Sequence, residues 1–317
     1  MAEAARLPFF VSDRVDLTAT FFIVGVTAAG KSEIAAEVAR ACNGEIVGAD
    51  AFQIYAGLNL LTAQPDEQTL STVRHHLVGE VPLTQEMNAE RFRKLALNAI
   101  RKIRTREKSV FVVGGSGMYV KALTDGLSPL PQADPKLRAR LEQFSERELL
   151  VRLRQLDAKS ARTIDSQNKR RLIRAVEICL LSGRTASAQR QRPVAPSVSG
   201  VFFFRDRVEL YDRINTRVEK MFAEGVVDEV HAAGEIGPTA AQTLGLHQIR
   251  DLIAGKISER ECLAAIQQAT RRYAKRQLTW FRRQTSFEPL NLSRHGSAEA
   301  IEWITRKACL SFAQQND

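Results

Sequence analysis

The residues with the clearest chemistry lie near the amino terminus, where Gly25-Val26-Thr27-Ala28-Ala29-Gly30-Lys31-Ser32 follows the spacing GxxxxGK[ST]. In such a loop the backbone N–H groups and the amino end of the next helix point at an anion. The lysine adds a point charge, and the closing hydroxyl can sit on a magnesium ion. Phosphate binding is the first expectation. Asp50 is the second candidate, either a polar group on the rim of the phosphate loop or a cap on the turn after a strand, with Gln53 and Tyr55 as polar neighbours. The third is Gly114-Gly115-Ser116-Gly117. Phosphate-loop ATPases and GTPases usually end a strand in an aspartate that holds magnesium-bound water. Here the strand ends in glycines, which would let a substrate approach the backbone. The missing carboxylate points away from hydrolysis and toward a transferase that holds a diphosphate intact.

The elements that must position these groups are legible as alternating patterns. Residues 20–24 form a β-rich apolar run, and Ile34, Ala35, Val38, Ala39 and Cys42 recur at helical spacing. Strand, glycine loop and helix therefore follow in the required order. Residues 45–49 and 109–113 read as further strands, and in a parallel sheet their carboxyl ends share one rim, which brings Asp50 to the loop. From Asp134 to about Arg192 charged helical sequence replaces strands and closes in a Ser/Pro-rich linker at Pro193 and Pro196. Residues 201–204 then resume the sheet. The expected fold is α/β: a P-loop NTPase-like core with a parallel sheet flanked by helices, plus an inserted helical subdomain. The core is expected over residues 1–130 and 197–317, and the insertion over 131–196.

Across 317 residues, 44% hydrophobic and 26% charged describe a soluble globular protein and exclude a disordered, collagenous or disulfide-framed chain. No apolar run approaches the roughly 18–20 residues that cross a bilayer. Glu3, Asp13 and Asp16 disqualify the amino terminus as a secretion signal. Cys42, Cys179, Cys262 and Cys309 lack metal-like spacing and read as buried thiols in a reducing cytoplasm. The net charge of +10 implies a polyanionic partner, with nucleic acid the default. Residues 266–283 concentrate it: Arg271, Arg272, Lys275, Arg276, Arg282 and Arg283 stand on a helix without one acidic residue. That favours a polyanion groove over a solvated face, with Tyr273 and Trp280 as core anchors. The basic run 169–174 could be a solvated face, a phosphate-reading surface or a lid. His75 and His76 could touch RNA as a pair after a variable loop, but read more readily as buried, hydrogen-bonded structural histidines.

These stretches resemble the tRNA dimethylallyltransferase (tRNA isopentenyltransferase) family. The matching segments are Gly25–Ser32, Asp50–Tyr55, His75–Leu77, Val113–Tyr119, Arg170–Glu177 and Thr270–Arg282, in the family's order over about residues 20–283. The resemblance implies transfer of a dimethylallyl group from dimethylallyl diphosphate to the exocyclic amine of the adenosine 3′ of a tRNA anticodon, releasing diphosphate. It implies Asp50 as general base, acting with Thr27 and Lys31. Gly25, Val26, Thr27, Ala28, Ala29, Gly30, Lys31 and Ser32 would cradle the diphosphate, with Mg2+ held through Ser32. Asp50, Ala51, Phe52, Gln53, Ser116, Arg138, Arg170, Arg171 and Arg174 would face tRNA, as would Gln242, His247, Lys275, Arg276, Gln277, Trp280 and Arg282. The insertion would embrace the anticodon stem-loop of a cytoplasmic tRNA, and the protein would act as a monomer away from membranes.

Some positions depart from the family's habit: Val26 replaces a common Pro, Ala51 a Ser, Ala56 an Arg, and Leu246-His247 a Tyr followed by Arg or Lys. His247, partly charged near neutral pH, could still serve. A nucleotide or small-molecule kinase, a transferase acting on free adenine nucleotides and a catalytically weakened tRNA-binding relative compete with this reading. The acid-free helix favours tRNA over the first two.

Overall fold

Residues 20–25 are aromatic, β-branched or small and are buried along their whole length, as a strand covered on both faces must be. This strand is β1 (Thr20–Gly25) in the computed structural model, which describes Leu17, residues 19–189 and residues 198–313. The amino-terminal acids Glu3, Asp13 and Asp16 and the linker expected at Pro193 and Pro196 lie outside the described residues. The chain continues through α1 (Lys31–Ala41), β2 (Gly44–Gly48), α2 (Glu67–Thr72), β3 (His75–His76), α3 (Ala89–Arg104), β4 (Ser109–Gly114) and α4 (Gly117–Thr124). A helical stretch follows: α5 (Pro135–Glu142), α6 (Glu146–Leu156), α7 (Ala158–Thr163), α8 (Lys169–Ser182) and α9 (Ala186–Gln189). Next come β5 (Ser199–Phe204), α10 (Arg207–Ala223), α11 (Val226–Ala232), α12 (Leu246–Ile253), α13 (Glu259–Gln284), β6 (Glu288–Asn291) and α14 (Ser297–Ala313).

The six strands pair in parallel in the order β3-β2-β4-β1-β5-β6. All their carboxyl ends therefore lie along one edge, and β1, at the centre, delivers the glycine loop there. Phe22, Ile23, Val24, Val110, Phe111 and Val112 are fully buried and form the sheet's contribution to the core. The expected α/β fold with a parallel sheet flanked by helices is what the chain adopts. Two short strands carry no readable sequence signal. His75–His76 is too brief to show a pattern, and residues 288–291 carry a proline.

By packing the chain divides into two compact units, Met1–Thr124 with Pro196–Asp317, and Asp125–Ala195. The second unit has its own core of Leu141, Leu149, Leu153, Leu172, Ile173 and Val176. At its centre Glu177 is fully buried. The carboxylate takes Arg138 at 2.9 and 3.0 Å, Arg174 at 2.6 Å and the Asp134 N–H at 2.9 Å. A buried carboxylate is tolerated only when so paired.

In the first unit α13 begins at Glu259, seven residues before the basic run. Ser258 caps it and Glu261 returns the bond, the S-x-x-E capping box present in the sequence. The thiols need correcting. Cys179 and Cys262 are buried, but Cys42 is half-buried and Cys309 exposed. The C-cap of α1 meets α14 there, with the two Sγ atoms 3.3 Å apart. Among the described residues no helix is long and apolar enough to cross a membrane.

Glu177→Ala should lower stability by about 3 kcal/mol, because it leaves two guanidinium groups and a backbone N–H without their acceptor. Arg138→Ala, which leaves Arg174 in place, should cost about 1 kcal/mol. Urea denaturation of the full chain measures both, and equal costs would show that Glu177 is not the hub.

Candidate active site

The loop between β1 and α1 is shaped by two tight constraints. Gly25 is pressed so closely on Phe203 of β5 that a Cβ would collide with its carbonyl. Gly30, the N-cap of α1, has φ 91°, a left-handed conformation natural to glycine. Ala28 also adopts positive φ, at 61°, where a Cβ costs roughly 1–2 kcal/mol. Cations hold the loop in this form. Lys31 Nζ donates to the Val26 carbonyl at 2.7 Å, and Arg213 Nε donates to the Ala28 carbonyl at 2.9 Å. Arg205 Nε donates to the Ala29 carbonyl at 3.0 Å, and Arg217 donates to Thr27 Oγ1 at 2.7 Å.

Desolvation lowers Lys31 to about 8, against the opposing pull of Asp50. It lowers Arg217 to about 10, again opposed by Asp50, with Arg213 adding repulsion. Arg217 still stays charged near neutrality, and its buried Nε has no hydrogen-bond partner among the described residues. The loop is therefore a half-buried, positively charged cradle whose chemistry suits an anion. Sequence reasoning missed Arg205, Arg213 and Arg217. The i,i+4 pair Arg213 and Arg217 on an amphipathic helix just after a strand was the available signal.

Asp50 follows β2 on the same sheet edge and acts on both Lys31 and Arg217 through its field. Its Oδ1 accepts the N–H groups of Phe52 at 3.0 Å and Gln53 at 3.4 Å. The turn-capping role and a place at the site are thus both realised, by one side chain. Ser116 Oγ accepts the Ala51 N–H at 2.8 Å, tying the end of β4 to the residue after Asp50. Burial and the nearby Asp50 push the phenol of Tyr273, on α13 beside Ser116 and Gln277, well above the ordinary tyrosine value.

The glycines after β4 need a different explanation from substrate access. A Cβ on Gly114 would strike the Ala49 backbone, one on Gly115 the Gln277 amide, and one on Gly117 the Trp280 ring. They are small because the protein itself fills the space.

Helix α13 presents two faces. Cys262, Ile266, Thr270, Ala274, Gln277 and Phe281 are buried, whereas Arg272, Lys275, Arg276 and Arg282 are exposed. Arg276 lies over the Tyr273 ring and Arg282 over Phe204, which fixes their stems while leaving the charge outward. Gln277 is the exception among the residues expected to face RNA. It is 5% exposed, and both ends of its amide are engaged inside the protein. Trp280 packs partly buried against Gly117.

Gln53 donates its amide to the carbonyls of Ala63 and Thr62. Gln242 and His247 are exposed, and His247 lies 3.3 Å from Asp251. In the second unit Arg170 and Arg171 are exposed, while Arg138 and Arg174 are held by Glu177. His76 is buried with Nε2 2.6 Å from Glu45, and His75 is held at the Val73 carbonyl. Both histidines are structural.

The family profile described as IPP transferase matches residues 53–284. The chain is 38% identical over 283 residues to a tRNA dimethylallyltransferase of Akkermansia muciniphila, covering 89% of this chain and 96% of that protein. It is 37% identical over 285 residues to a tRNA dimethylallyltransferase of Geobacter sulfurreducens, covering 86% and 91%. Among solved structures, the full-length tRNA isopentenylpyrophosphate transferase of Bacillus halodurans superposes with a TM-score of 0.69 at 29% identity. That likeness covers 94% of this chain and 97% of the other.

Inorganic pyrophosphate is the simplest probe of the cradle. Its affinity should fall as pH rises through about 8, because the Lys31 ammonium is lost there. Lys31→Met should abolish that step, and calorimetric titration of both proteins from pH 7 to 9 checks it. Arg217→Ala should weaken pyrophosphate binding by about 10²-fold, the scale of one missing charge-assisted pair.

Proposed function

The chain belongs to the IPP transferase family and has tRNA dimethylallyltransferase activity; from that premise we propose the reaction and the residues that carry it. The donor is dimethylallyl diphosphate, and the acceptor is the exocyclic amine of the adenosine 3′ of the anticodon. The amine nitrogen attacks C1 of the dimethylallyl group, the C1–O bond breaks, and diphosphate leaves into the glycine loop. The amine proton passes to Asp50. The observation that supports this assignment most is the pairing of Asp50 with the cradle: one carboxylate acts electrostatically on both Lys31 and Arg217. Base and leaving-group site thus stand on one sheet edge.

An exocyclic amine is a weak nucleophile, so a fixed carboxylate that removes its proton as the C–N bond forms lowers the barrier. The Phe52 and Gln53 N–H groups hold Oδ1, which leaves Oδ2 as the acceptor in this reading. Charge developing on the leaving diphosphate meets Lys31, Arg213, Arg217 and the amino end of α1. Ser32 stands in the first turn of α1. Among the described residues no cluster of three or more His, Cys, Asp or Glu could hold a metal. A single hydroxyl such as Ser32 suits magnesium, which keeps most of its waters and binds largely through phosphate oxygens. When bound through Ser32, the ion would neutralise part of the diphosphate charge.

The target adenosine must leave the anticodon stack, at a cost of a few kcal/mol. Exposed Lys275, Arg276 and Arg282 on α13, and Arg170 and Arg171 in the second unit, supply phosphate contacts. The free thiols Cys179, Cys262, Cys42 and Cys309 are consistent with a reducing cytoplasm, where we expect the enzyme to act as a monomer on tRNA.

The direct test is a prenyl-transfer assay with dimethylallyl diphosphate and an anticodon stem-loop carrying adenosine at the target position. Product is expected with the stem-loop and not with AMP. Asp50→Ala should lower kcat by about 10²–10⁴-fold with stem-loop Kd little changed, and wild-type turnover in that variant would remove Asp50 from the chemistry. The double variant Lys275→Glu, Arg276→Glu should weaken stem-loop binding and flatten the plot of log K against log salt. The slope should fall by about 0.7–0.9 for each phosphate no longer neutralised. An unchanged slope would place the RNA elsewhere.

A further inference from the structure

Gln277 sits in the middle of the basic segment of α13 yet faces the other way. It is 5% exposed. Its Oε1 accepts the Thr27 N–H at 2.8 Å, and its Nε2 donates to the Gly115 carbonyl at 2.9 Å. Thr27 belongs to the glycine loop and Gly115 to the turn after β4. The bridge spans 250 residues of sequence on one side and 162 on the other.

The fit is chemical as well as geometric. One partner can only donate and the other can only accept, so the bridging group must offer an acceptor and a donor at once without charge. A primary amide does so. A carboxylate, ammonium or guanidinium leaves one partner unmatched. The same two partners fix which end of the amide is oxygen. The space a side chain would need at Gly115 is occupied by this amide, so that glycine is itself part of the arrangement. Gly115 leads into Ser116, which holds the Ala51 N–H next to Asp50. Tyr273, one turn earlier on α13, lies beside both Ser116 and Gln277. A continuous polar path therefore runs from the donor loop at Thr27 to the wall beside the base.

We propose that Gln277 is a positioning residue for prenyl transfer, setting the distance between the diphosphate loop and the turn that supports Asp50. It does so from the buried face of the helix whose exposed face carries the basic residues, and it is not itself an RNA contact. The proposal rests on the transfer reaction described above. Displacement of a reacting group by about 1 Å can cost about 10²-fold in rate, so its signature belongs in kcat and not in stem-loop binding.

The test compares wild type, Gln277→Leu and Gln277→Glu with dimethylallyl diphosphate and the anticodon stem-loop. Gln277→Leu keeps volume and removes both hydrogen bonds. Its kcat should fall about 10–10²-fold, with stem-loop Kd within about twofold of wild type. Gln277→Glu supplies the conservative rescue. At pH 6 the introduced carboxyl, kept protonated by burial against a carbonyl, can accept from Thr27 and donate to Gly115. Its kcat should then lie within a few-fold of wild type. By pH 7.5 the carboxyl ionises, repels the Gly115 carbonyl, and kcat should fall about tenfold relative to wild type. Tyr273 of α13 lies beside it, with Asp50 and Arg276 acting on that phenol, and Lys31 and Arg217 bind the loop at Val26 and Thr27. The Lys31 step near 8 lies above this window.

A raised KM for the stem-loop with unchanged kcat in both variants would make Gln277 an RNA contact and overturn the proposal. So would a loss in Gln277→Glu that is the same at every pH and tracks a lowered Tm, which marks a merely structural role. If wild type transfers nothing, the underlying reading fails separately. The bridge is then judged by pyrophosphate affinity, expected about tenfold weaker in Gln277→Leu and pH-dependent in Gln277→Glu; equal affinities would sink it.

Discussion

Concentrating positive charge around one half-buried glycine loop is the constraint on which this structure depends. Lys31, Arg205, Arg213 and Arg217 converge on four consecutive positions, from Val26 to Ala29. Each cation grips the loop's own oxygen atoms, so the backbone is held in a conformation that Ala28 would otherwise resist. The cost is repulsion and lost hydration, visible in the lowered affinity of Lys31 and Arg217 for their protons. In the proposed reaction a diphosphate would relieve both at once, and cations already gathered at the loop are the form that electrostatic catalysis takes.

That charge would be a hazard to the base if the carboxylate were captured by it. A carboxylate locked in a contact pair with two cations is a poor proton acceptor. Asp50 is instead anchored from behind, through Oδ1, by the N–H groups of Phe52 and Gln53. It influences Lys31 and Arg217 through the field. Distance is kept by the rigid sheet edge, where Ala49 N–H donates to Val113 at 2.7 Å and Ser116 N–H to Ala49 at 3.1 Å. The small residues after β4 let those segments approach closely enough to make the bonds.

What was legible in the sequence was what is local or what symmetry dictates. The strand, loop and helix around Lys31 are contiguous, so spacing alone exposed them. Asp50 was placed because parallel strands end on one edge whatever their order. The arginines of the cradle escaped because the Arg213 and Arg217 pair marks a basic helix face but not its target, Thr27, 190 residues from Arg217. The glycines after β4 were recognised as spaces but given the wrong occupant, since only tertiary packing shows Ala49, Gln277 and Trp280 filling them. Gln277 was grouped with its basic neighbours for the same reason. Its neighbours one turn away, Tyr273, Ala274, Trp280 and Phe281, are uncharged, and that stripe was the signal that Gln277 belongs to the buried face of the helix. Strand β6, four residues with a proline, carries too little pattern to find.

The arrangement also explains why a phosphate loop here serves prenyl transfer and not phosphoryl transfer or hydrolysis. Phosphoryl chemistry places its nucleophile in line with a phosphorus atom and needs a group to orient that nucleophile at the phosphate. Here β4, next to the loop strand, ends in glycines packed by protein atoms, so that position presents no carboxylate to a water. Asp50 follows β2, one strand further out. In the proposed reaction its carboxylate serves a nucleophile that attacks carbon one bond beyond the leaving oxygen, and the exposed basic face of α13 meets the acceptor. On that reading a loop common to many phosphate-binding proteins would acquire its reaction from the strand that carries the base, and its substrate from the helix that faces solvent.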